Sequence, residues 1–155
     1  SVGTHPHHAH DELDITSADL IAKSAHPKVV AIGEAGLDYF YDKSPRPAQE
    51  QGFRAHIAAA RATRLPLVIH SREADEDMAR IAASLPADRI LVETDAPYLA
   101  PGKYRGKRNE PAYVVETAKT LADTRGVSAA HIAEQTTENF FRLFNKVPRN
   151  ISAAA

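Results

Sequence analysis

The chain has 155 residues, enough for one domain with a buried core, and a formal net charge of −1 at pH 7. This charge argues against a broad nonspecific surface for polyanions, so any contact with nucleic acid has to be local. Cysteine is absent, which excludes disulfides, thiolate zinc sites and cysteine nucleophiles, and leaves eight histidines as candidate ligands.

The apolar and charged fractions, 43% and 25%, are ordinary for a soluble globular protein. No run approaches the ~18 apolar residues of a membrane span. The N-terminus also lacks the charged and apolar regions of a signal peptide. We therefore expect a cytoplasmic protein that makes no contact with a membrane.

Strand patterns alternate with helix patterns along the chain. In order, the sequence predicts a strand end that runs into a polar loop at 1–10, a helix at 17–25, a strand at 28–33, a loop at 36–47, a helix at 47–64, a strand at 65–70, a helix at 74–84, a strand at 89–95, and helices at 111–125 and 128–145. This order predicts parallel strands with helical crossovers. Four such strands could form an open sheet or half of an eight-stranded barrel.

Local signals fix the expected ends and faces of these helices. Ser17 is the predicted cap of the first helix, and Gly126 is expected to close the helix that starts at Pro111. In the helix at 47–64, the spacing of the apolar side chains predicts one face toward the sheet. The residues of that face are Phe53, Ile57 and Ala60.

Three apolar runs end in residues that can bind a divalent cation: Glu34, His70 and Asp95. Ligands of α/β proteins bind beyond the carboxyl ends of parallel strands, so we expect these three side chains to meet. Taken singly, Glu34 fits an ion pair, His70 a core histidine, and Asp95 a cap of the turn at Ala96-Pro97. The repetition favours a metal site with mixed oxygen and nitrogen ligands.

Five longer motifs occur in a fixed order along the chain. They are GEAGLDY at Gly33–Tyr39, IHSRE at Ile69–Glu73, ILVETDAPYLAP at Ile90–Pro101, YRGKRNEP at Tyr104–Pro111 and TTENFFRLF at Thr136–Phe144. Together they resemble the motifs of TatD-type metal-dependent deoxyribonucleases, a branch of the amidohydrolase-like TIM barrels. The opening GTHPHH is similar to that family's GxHPH segment.

The resemblance implies an α/β fold of the TIM-barrel family, with a single domain over 1–148 and a frayed tail over 149–155. Two parts of the family pattern have no counterpart here: a first strand with a His-x-His pair, and a histidine-bearing strand between the IHSR and ETDAP strands. The short spacing from His70 to Glu93 predicts a deletion near Ile81. We therefore expect a partial barrel, about half, of roughly four parallel strands with crossover helices.

Site roles also follow from the resemblance. It implies that Glu34 bridges two cations, that His70 binds one of them, and that Asp95 binds metal and takes a proton from the attacking water. Glu34 and Asp95 are thus the expected catalytic residues. The expected cofactors are two divalent cations (Mg, Mn or Zn), and the missing histidines leave open that only one is retained.

The substrate side of the site has five candidates. We assign His5 and His7 to it because the family's GxHPH segment faces the substrate; a solvated histidine-rich loop is the alternative. Arg72 follows His70 by two residues, so both side chains point the same way from an extended segment. Two arginines of the loop beyond the last strand are expected to contact phosphates, with a solvated basic loop as the alternative. They are Arg105 and Arg108.

Two further assignments stay open. The aromatic run from Tyr39 to Tyr41 fits base stacking and packing equally well. Glu93 shares a strand face with Asp95 and could orient a ligand. Both assignments depend on the same predicted site.

The predicted function is metal-dependent hydrolysis of DNA phosphodiester bonds by metal-activated water, in the 3′–5′ direction and on single-stranded substrate. One alternative is an impaired or inactive remnant that needs partner strands, because half a barrel has open edges that favour self-association. Another is a hydrolase of a different ester, such as an aminoacyl ester, since a fold alone does not select the bond.

Overall fold

The computed structural model describes residues 1–149. Internal contacts divide the chain into two compact units, Ser1–Met78 and a second unit that begins at Ala79. The single domain expected over 1–148 stays a prediction. None of the helices described is both long and apolar enough to cross a membrane.

The tail expected over 149–155 falls almost entirely outside the described residues. Only Arg149 is described, and its guanidinium donates two bonds of 2.9 Å to the carboxylate of Glu138. This first residue of the expected tail is therefore held against the helix that carries Glu138.

All five predicted helices are present. In chain order the helices and strands are α1 (Ser17–Ser24), β1 (Ile32–Asp38), α2 (Arg46–Thr63), β2 (Leu67–Arg72), α3 (Asp75–Ser84), α4 (Val114–Arg125) and α5 (Ala129–Leu143). Short 3₁₀ turns lie at Pro6–His8, Ala87–Arg89, Gly102–Tyr104 and Pro111–Tyr113.

The two strands pair in parallel, and α2 forms the crossover between them, which confirms the predicted strand–helix–strand order. Their register sets Gly36 opposite His70. Val2 forms an isolated parallel bridge with Ile32 on β1. The opening residues therefore lie beside β1 and then turn away, as expected for the end of a strand.

Both strands begin later than predicted, so Glu34 and His70 lie inside them and not at their ends. β1 was expected over 28–33, with Gly36 in the following loop. This glycine is required within the strand, because a Cβ there would lie 2.0 Å from the carbonyl oxygen of His70. A close approach of two backbones explains the glycine that the sequence pattern assigned to a loop.

The strand predicted over 89–95 does not form in the described part of the chain. Within the described residues of the second unit there is no other strand with which residues 89–95 could pair. Its backbone is held by side chains instead: Asn139 donates to the carbonyl oxygens of Ala87 and Ile90 at 2.8 and 2.9 Å. Of the four predicted parallel strands, the described residues form two strands and the bridge at Val2.

The core of the first unit joins α1, β1 and α2. Leu20, Ile32 and Ala59 are its buried centre, with at most 1% of each residue exposed. Full burial of the two larger side chains, Leu20 and Ile32, contributes about 1.5–3 kcal/mol each to stability. This packing fixes β1 against α2, and β1 carries the candidate site.

The buried face of α2 differs slightly from the predicted one. Phe53 is buried as expected, but Ile57 and Ala60 are half-buried and His56 is almost fully buried. His56 is accommodated because its Nε2 accepts the backbone N–H of Thr4 at 2.9 Å and its Nδ1 donates to a carbonyl of the preceding turn. A polar side chain satisfied at both nitrogens can occupy a core position that a hydropathy pattern does not identify.

Helix ends follow ordinary capping rules. The cap of α1 is Thr16 and not Ser17, since Thr16 and Asp19 form a reciprocal capping box. Gly126 ends α4 with a left-handed φ of 66°, as predicted. Ser128 caps α5.

Candidate metal centre

Three histidines and two carboxylates lie together in the first unit: His5, His7, Glu34, Asp38 and His70. We call them the His–carboxylate cluster. Nδ1 of His70 is 3.0 Å from a Glu34 oxygen, and its Nε2 is 2.9 Å from Oδ2 of Asp38. Nε2 of His7 lies 2.8 Å from the same Asp38 oxygen. The rings of His5 and His70 meet edge to face, with 4.7 Å between centroids.

The sheet explains this convergence. Glu34 and Asp38 are four residues apart in β1, so their side chains leave the strand on the same face. His70 is paired with Gly36, midway between them, so its ring lies between the two carboxylates. The missing side chain at Gly36 leaves room for that close pairing.

Asp38 is the member of the cluster that the sequence reasoning missed. It is fully buried and accepts bonds from His7, His70 and the backbone N–H groups of Phe40 and Tyr41. Burial alone would raise the pKa of its carboxyl group, but the hydrogen bonds from Tyr41, His7 and His70 outweigh it and lower the pKa from 3.8 to about 2. Asp38 is therefore negatively charged at neutral pH.

A sequence signal for Asp38 did exist. Asp38 directly follows the short apolar stretch from Ala35 to Leu37, so it meets the criterion that selected Glu34, a ligating residue at the end of an apolar run. The sequence pattern ends β1 at 33 and places Asp38 in the following loop, whereas the structure extends the strand to Asp38.

The cluster fits a divalent cation by the chemistry of its donors. One ligand atom each from His5, Glu34 and His70 lies within 4.8 Å of the others. Bonds of about 2.0–2.2 Å to one cation place neighbouring ligand atoms roughly 3 Å apart, which matches the separation of Glu34 from His70. Mixed imidazole and carboxylate ligands suit zinc and manganese.

His5 has a second feature that bears on its role. Its Nδ1 accepts the backbone N–H of His7 at 3.2 Å. A neutral imidazole has a single proton, so this bond places the proton of His5 on Nε2. In this tautomer His5 presents an N–H at Nε2 and no free lone pair, so it is a hydrogen-bond donor and not a cation ligand. Its expected contact with the substrate stays a prediction.

Arg72 lies at the end of β2 beside an aromatic pair. Its guanidinium is 4.1 Å from the centroid of Phe40 and 4.4 Å from that of Tyr41. Both rings are about half exposed. Within residues 1–149, no carboxylate lies within ion-pair distance of Arg72, so its edge N–H groups are open to an anion.

The remaining predicted site residues, Asp95, Arg105 and Arg108, belong to the second unit. Of the expected trio, only Glu34 and His70 therefore meet within one unit. Asp95 is exposed and has a left-handed φ of 53°. Within residues 1–149, no hydrogen bond from its side chain caps the turn at Ala96-Pro97; its carbonyl accepts the N–H of Tyr98 at 2.8 Å. The predicted phosphate-binding arginines of this unit are also exposed. They are Arg105 and Arg108.

Glu93 contacts the backbone of Asp95 by accepting its N–H. Its carboxylate thus holds the chain at Asp95. The expectation that Glu93 orients the side chain of a metal ligand stays a prediction.

Tyr39 provides a test of the loop that follows β1. Burial and the hydrogen bond to Asp77, at 2.7 Å, raise the pKa of the Tyr39 phenol from 10.0 to about 12. We expect one of the five tyrosines to ionise near pH 12 in a spectrophotometric titration. In an Asp77→Asn variant it should ionise at lower pH, because the phenolate no longer faces a negative charge. Circular dichroism at each pH controls for alkaline unfolding, and an unchanged titration would contradict the assignment.

The fold and the cluster define an α/β protein with a candidate site for a divalent cation. The chain belongs to the TatD related DNase family, whose model matches residues 1–84 and 78–145. The two matched pieces meet at 78–84, where the sequence predicted a deletion.

Curated relatives support the same family. The chain is 36% identical to an uncharacterized metal-dependent hydrolase of Bacillus subtilis, YabD, over 93% of this chain and 76% of that protein. It is 30% identical to a protein of Erwinia tasmaniensis named 3′-5′ ssDNA/RNA exonuclease TatD, over 94% of this chain and 77% of that one. The alignment with YabD runs over 197 positions, more than the 155 residues present, so the relative has internal residues that this chain lacks.

A solved structure shows the fold. The crystal structure of YjjV, a TatD homologue of Escherichia coli, superposes with a TM-score of 0.54 over 96% of this chain and 76% of that chain. The two sequences are 24% identical. At this identity the likeness concerns the fold alone.

Proposed function

We propose that the chain is a metal-dependent hydrolase that cleaves DNA phosphodiester bonds, acting on single strands from the 3′ end. The observation that carries the proposal is the pair of ligand atoms on Glu34 and His70, 3.0 Å apart, with His5 beside them. The exonuclease name of the Erwinia relative supports the choice of bond and direction.

Each residue has a distinct task in this proposal. Glu34 and His70 hold the cation, and His5 donates a hydrogen bond to a substrate oxygen. A bound divalent cation lowers the pKa of water toward about 7 and stabilises negative charge on phosphoryl oxygens. Asp95 accepts the proton of the attacking water, a role for which a carboxylate is sufficient once the pKa of the water is lowered. One cation is proposed, because the two candidate ligand groups of the cluster, His5–Glu34–His70 and His7–Asp38–His70, share the same His70.

Substrate binding is proposed to depend on Arg72 together with Phe40 and Tyr41. A guanidinium whose carbon lies within 4.4 Å of the centroids of two rings loses little further freedom when its edge binds a phosphate. The exposed faces of the same rings suit a neighbouring base. This arrangement favours a polyanionic, base-containing substrate over a small ester. Contacts of Arg105 and Arg108 with phosphates are proposed as an additional, salt-dependent contribution.

Replacement of Arg72 by glutamine should raise KM for single-stranded DNA by roughly tenfold or more, the loss of one charge-assisted hydrogen bond, with a smaller change in kcat. Steady-state hydrolysis of a labelled oligonucleotide measures both constants. Arg61→Gln is the matched control, since Arg61 is an exposed arginine near the end of α2. Equal KM values in the two variants would refute the phosphate contact.

The proposed activity is tested by degradation of single-stranded DNA labelled at its 5′ end. The purified chain is incubated with magnesium, manganese or zinc, and a chelator provides the control. A ladder of shortened, still labelled products that requires the metal would support a 3′–5′ exonuclease. A folded chain that leaves DNA intact under every condition would overturn the proposal. The same preparation should then be offered aminoacyl esters.

A second candidate is a chain that is inactive until another chain supplies further strands. It is favoured by the outer side of β2: within residues 1–149 this strand pairs only with β1, and Val68 on it is 44% exposed. An open edge of this kind is a template for association. Light scattering coupled to size exclusion, run beside the hydrolysis assay, would show whether activity accompanies an oligomer.

We also infer the partial barrel of roughly four parallel strands. The support consists of the parallel β1–α2–β2 unit, the bridge at Val2 and the likeness to YjjV. Circular dichroism and limited proteolysis of the chain, alone and at high concentration, would test whether additional strand structure forms on association.

A further inference from the structure

The buried carboxylate of Asp38 is the point on which the cluster converges. Its Oδ2 contacts Nε2 of His7 at 2.8 Å and Nε2 of His70 at 2.9 Å. Its Oδ1 accepts the backbone N–H groups of Phe40 and Tyr41 at 3.1 and 2.9 Å. No part of Asp38 is exposed to solvent. All of its acceptor capacity is therefore satisfied by the protein.

The position of Asp38 is fixed by its backbone as well. Its N–H donates to Oε1 of Gln49 at 2.7 Å, and its carbonyl accepts from Nε2 of Gln49 at 3.0 Å. Gln49 is itself 1% exposed and belongs to α2. The carboxylate is thus held from both sides and forms a rigid acceptor.

These contacts determine which nitrogen of His70 carries the proton. A carboxylate only accepts, so Nε2 of His70 has to carry a hydrogen to bond with Asp38. The competing arrangement would place the proton on Nδ1, toward Glu34. The Glu34 side chain is 45% exposed and can accept from water, whereas the Asp38 side chain is buried and cannot. Loss of the His70 hydrogen bond costs more free energy at the buried Asp38 carboxylate than at the exposed Glu34 carboxylate, so the proton belongs on Nε2.

We propose that Asp38 is a positioning residue that fixes the tautomer of His70, so that Nδ1 presents its lone pair on the side of Glu34 to a divalent cation. The inference rests on the proposed function, because it assigns the cation to that pair. A carboxylate that holds the second nitrogen of a histidine ligand also fixes the orientation of the ring and raises the basicity of the ligating nitrogen. In this proposal Oδ2 of Asp38 bonds to His70 and acts on the cation only through that ring.

The tautomer can be measured without metal or substrate. The full chain is labelled with ¹⁵N, kept metal-free, and studied by long-range ¹H–¹⁵N spectra of the imidazoles at a pH where His70 is neutral. The two nitrogens of a neutral imidazole have well-separated shifts, so the protonated one is identified directly. We expect the proton of His70 on Nε2. A proton on Nδ1 in the native chain would overturn the inference, whatever the variants do.

The Asp38→Asn variant tests whether the Asp38 carboxylate determines the His70 tautomer. The amide keeps the shape of the side chain and an oxygen for the loop N–H groups, but it can donate to Nε2 of His70. We expect a shift of His70 toward the Nδ1–H tautomer and a loss of about 10- to 100-fold in Mn²⁺ affinity, the usual effect of losing such a partner. Calorimetric titration with MnCl₂ measures the affinity, and thermal unfolding shows whether the variant is folded.

Asp77→Asn is the matched control, since it makes the same change at a carboxylate of the same unit that contacts Tyr39. The His70 tautomer and the Mn²⁺ affinity of the Asp77→Asn variant should equal those of the native chain. A folded Asp38→Asn variant with the native tautomer and affinity would refute the inference. The proposed function can fail separately. If the chain cleaves no DNA but shows the expected His70 tautomer and the expected change in Mn²⁺ affinity, the nuclease activity is refuted and the role of Asp38 is retained.

Discussion

Glu34→Gln should abolish divalent cation binding by the first unit and reduce metal-dependent DNA hydrolysis by roughly 10³-fold or more, since the activated water depends on the cation. The change removes a negative charge and one carboxylate oxygen while it keeps the size of the side chain. Within the described residues, the Glu34 carboxylate forms a hydrogen bond only with His70.

The fold should tolerate this change. The side chain is 45% exposed, and substitutions at such positions alter stability by about 0.5 kcal/mol or less. Calorimetric titration with MnCl₂ and the labelled-oligonucleotide assay measure the two losses, and urea unfolding measures stability. Glu50→Gln serves as the control, because Glu50 is an exposed glutamate of α2 that pairs with Arg54. Cation binding at native affinity by Glu34→Gln would remove Glu34 from the metal site.

The sequence specified the first unit well because its signals are local and concordant. The β-branched runs, the crossover helix and the end signals predicted β1, α2 and β2 in the correct order. The exact span of β1 could not be read in the same way, since Gly36 is typical of a loop until the neighbouring backbone of His70 is known. That single misplacement moved Asp38 out of the expected site.

The candidate site was predicted in part for the same reason. The Glu34–His70 contact follows from two strands that pair in parallel, which a sequence pattern can indicate. The role of Asp38 depends on burial, on the Gln49 contact from α2 and on a shared histidine partner, all of which require the tertiary structure. Motif resemblance named ligands but gave no account of what holds them.

The run at 89–95 shows the opposite limit. Its apolar, β-branched composition is typical of a buried strand, yet a strand exists only when another strand pairs with it. In the described part of the second unit no such partner exists, and Asn139 takes the place of a strand neighbour. Composition determines which segments can form strands, and the available partners determine which of them do.

Asp95→Asn should abolish hydrolysis while the chain keeps its fold and its cation affinity. The amide cannot accept the proton of the attacking water, and loss of a general base typically costs about 10²–10⁴-fold in rate. Within residues 1–149, the structure gives the Asp95 carboxylate no hydrogen bond or ion pair that asparagine would break. Asparagine is preferred to alanine because φ is 53°, a left-handed conformation that asparagine adopts readily and alanine adopts at a cost of about 1–2 kcal/mol.

The comparison with Glu34→Gln makes this prediction specific. Both variants should lose hydrolysis, but only Glu34→Gln should lose Mn²⁺ binding, because the proposal assigns the cation to Glu34 and His70 and gives Asp95 the proton alone. Asp88→Asn is the control for removal of an exposed carboxylate from the second unit, and it should leave kcat unchanged. Hydrolysis at the native rate by Asp95→Asn would exclude Asp95 as the base. If the loss of hydrolysis were accompanied by a loss of cation affinity equal to that of Glu34→Gln, Asp95 would be a metal ligand and its separate role as proton acceptor would be unsupported.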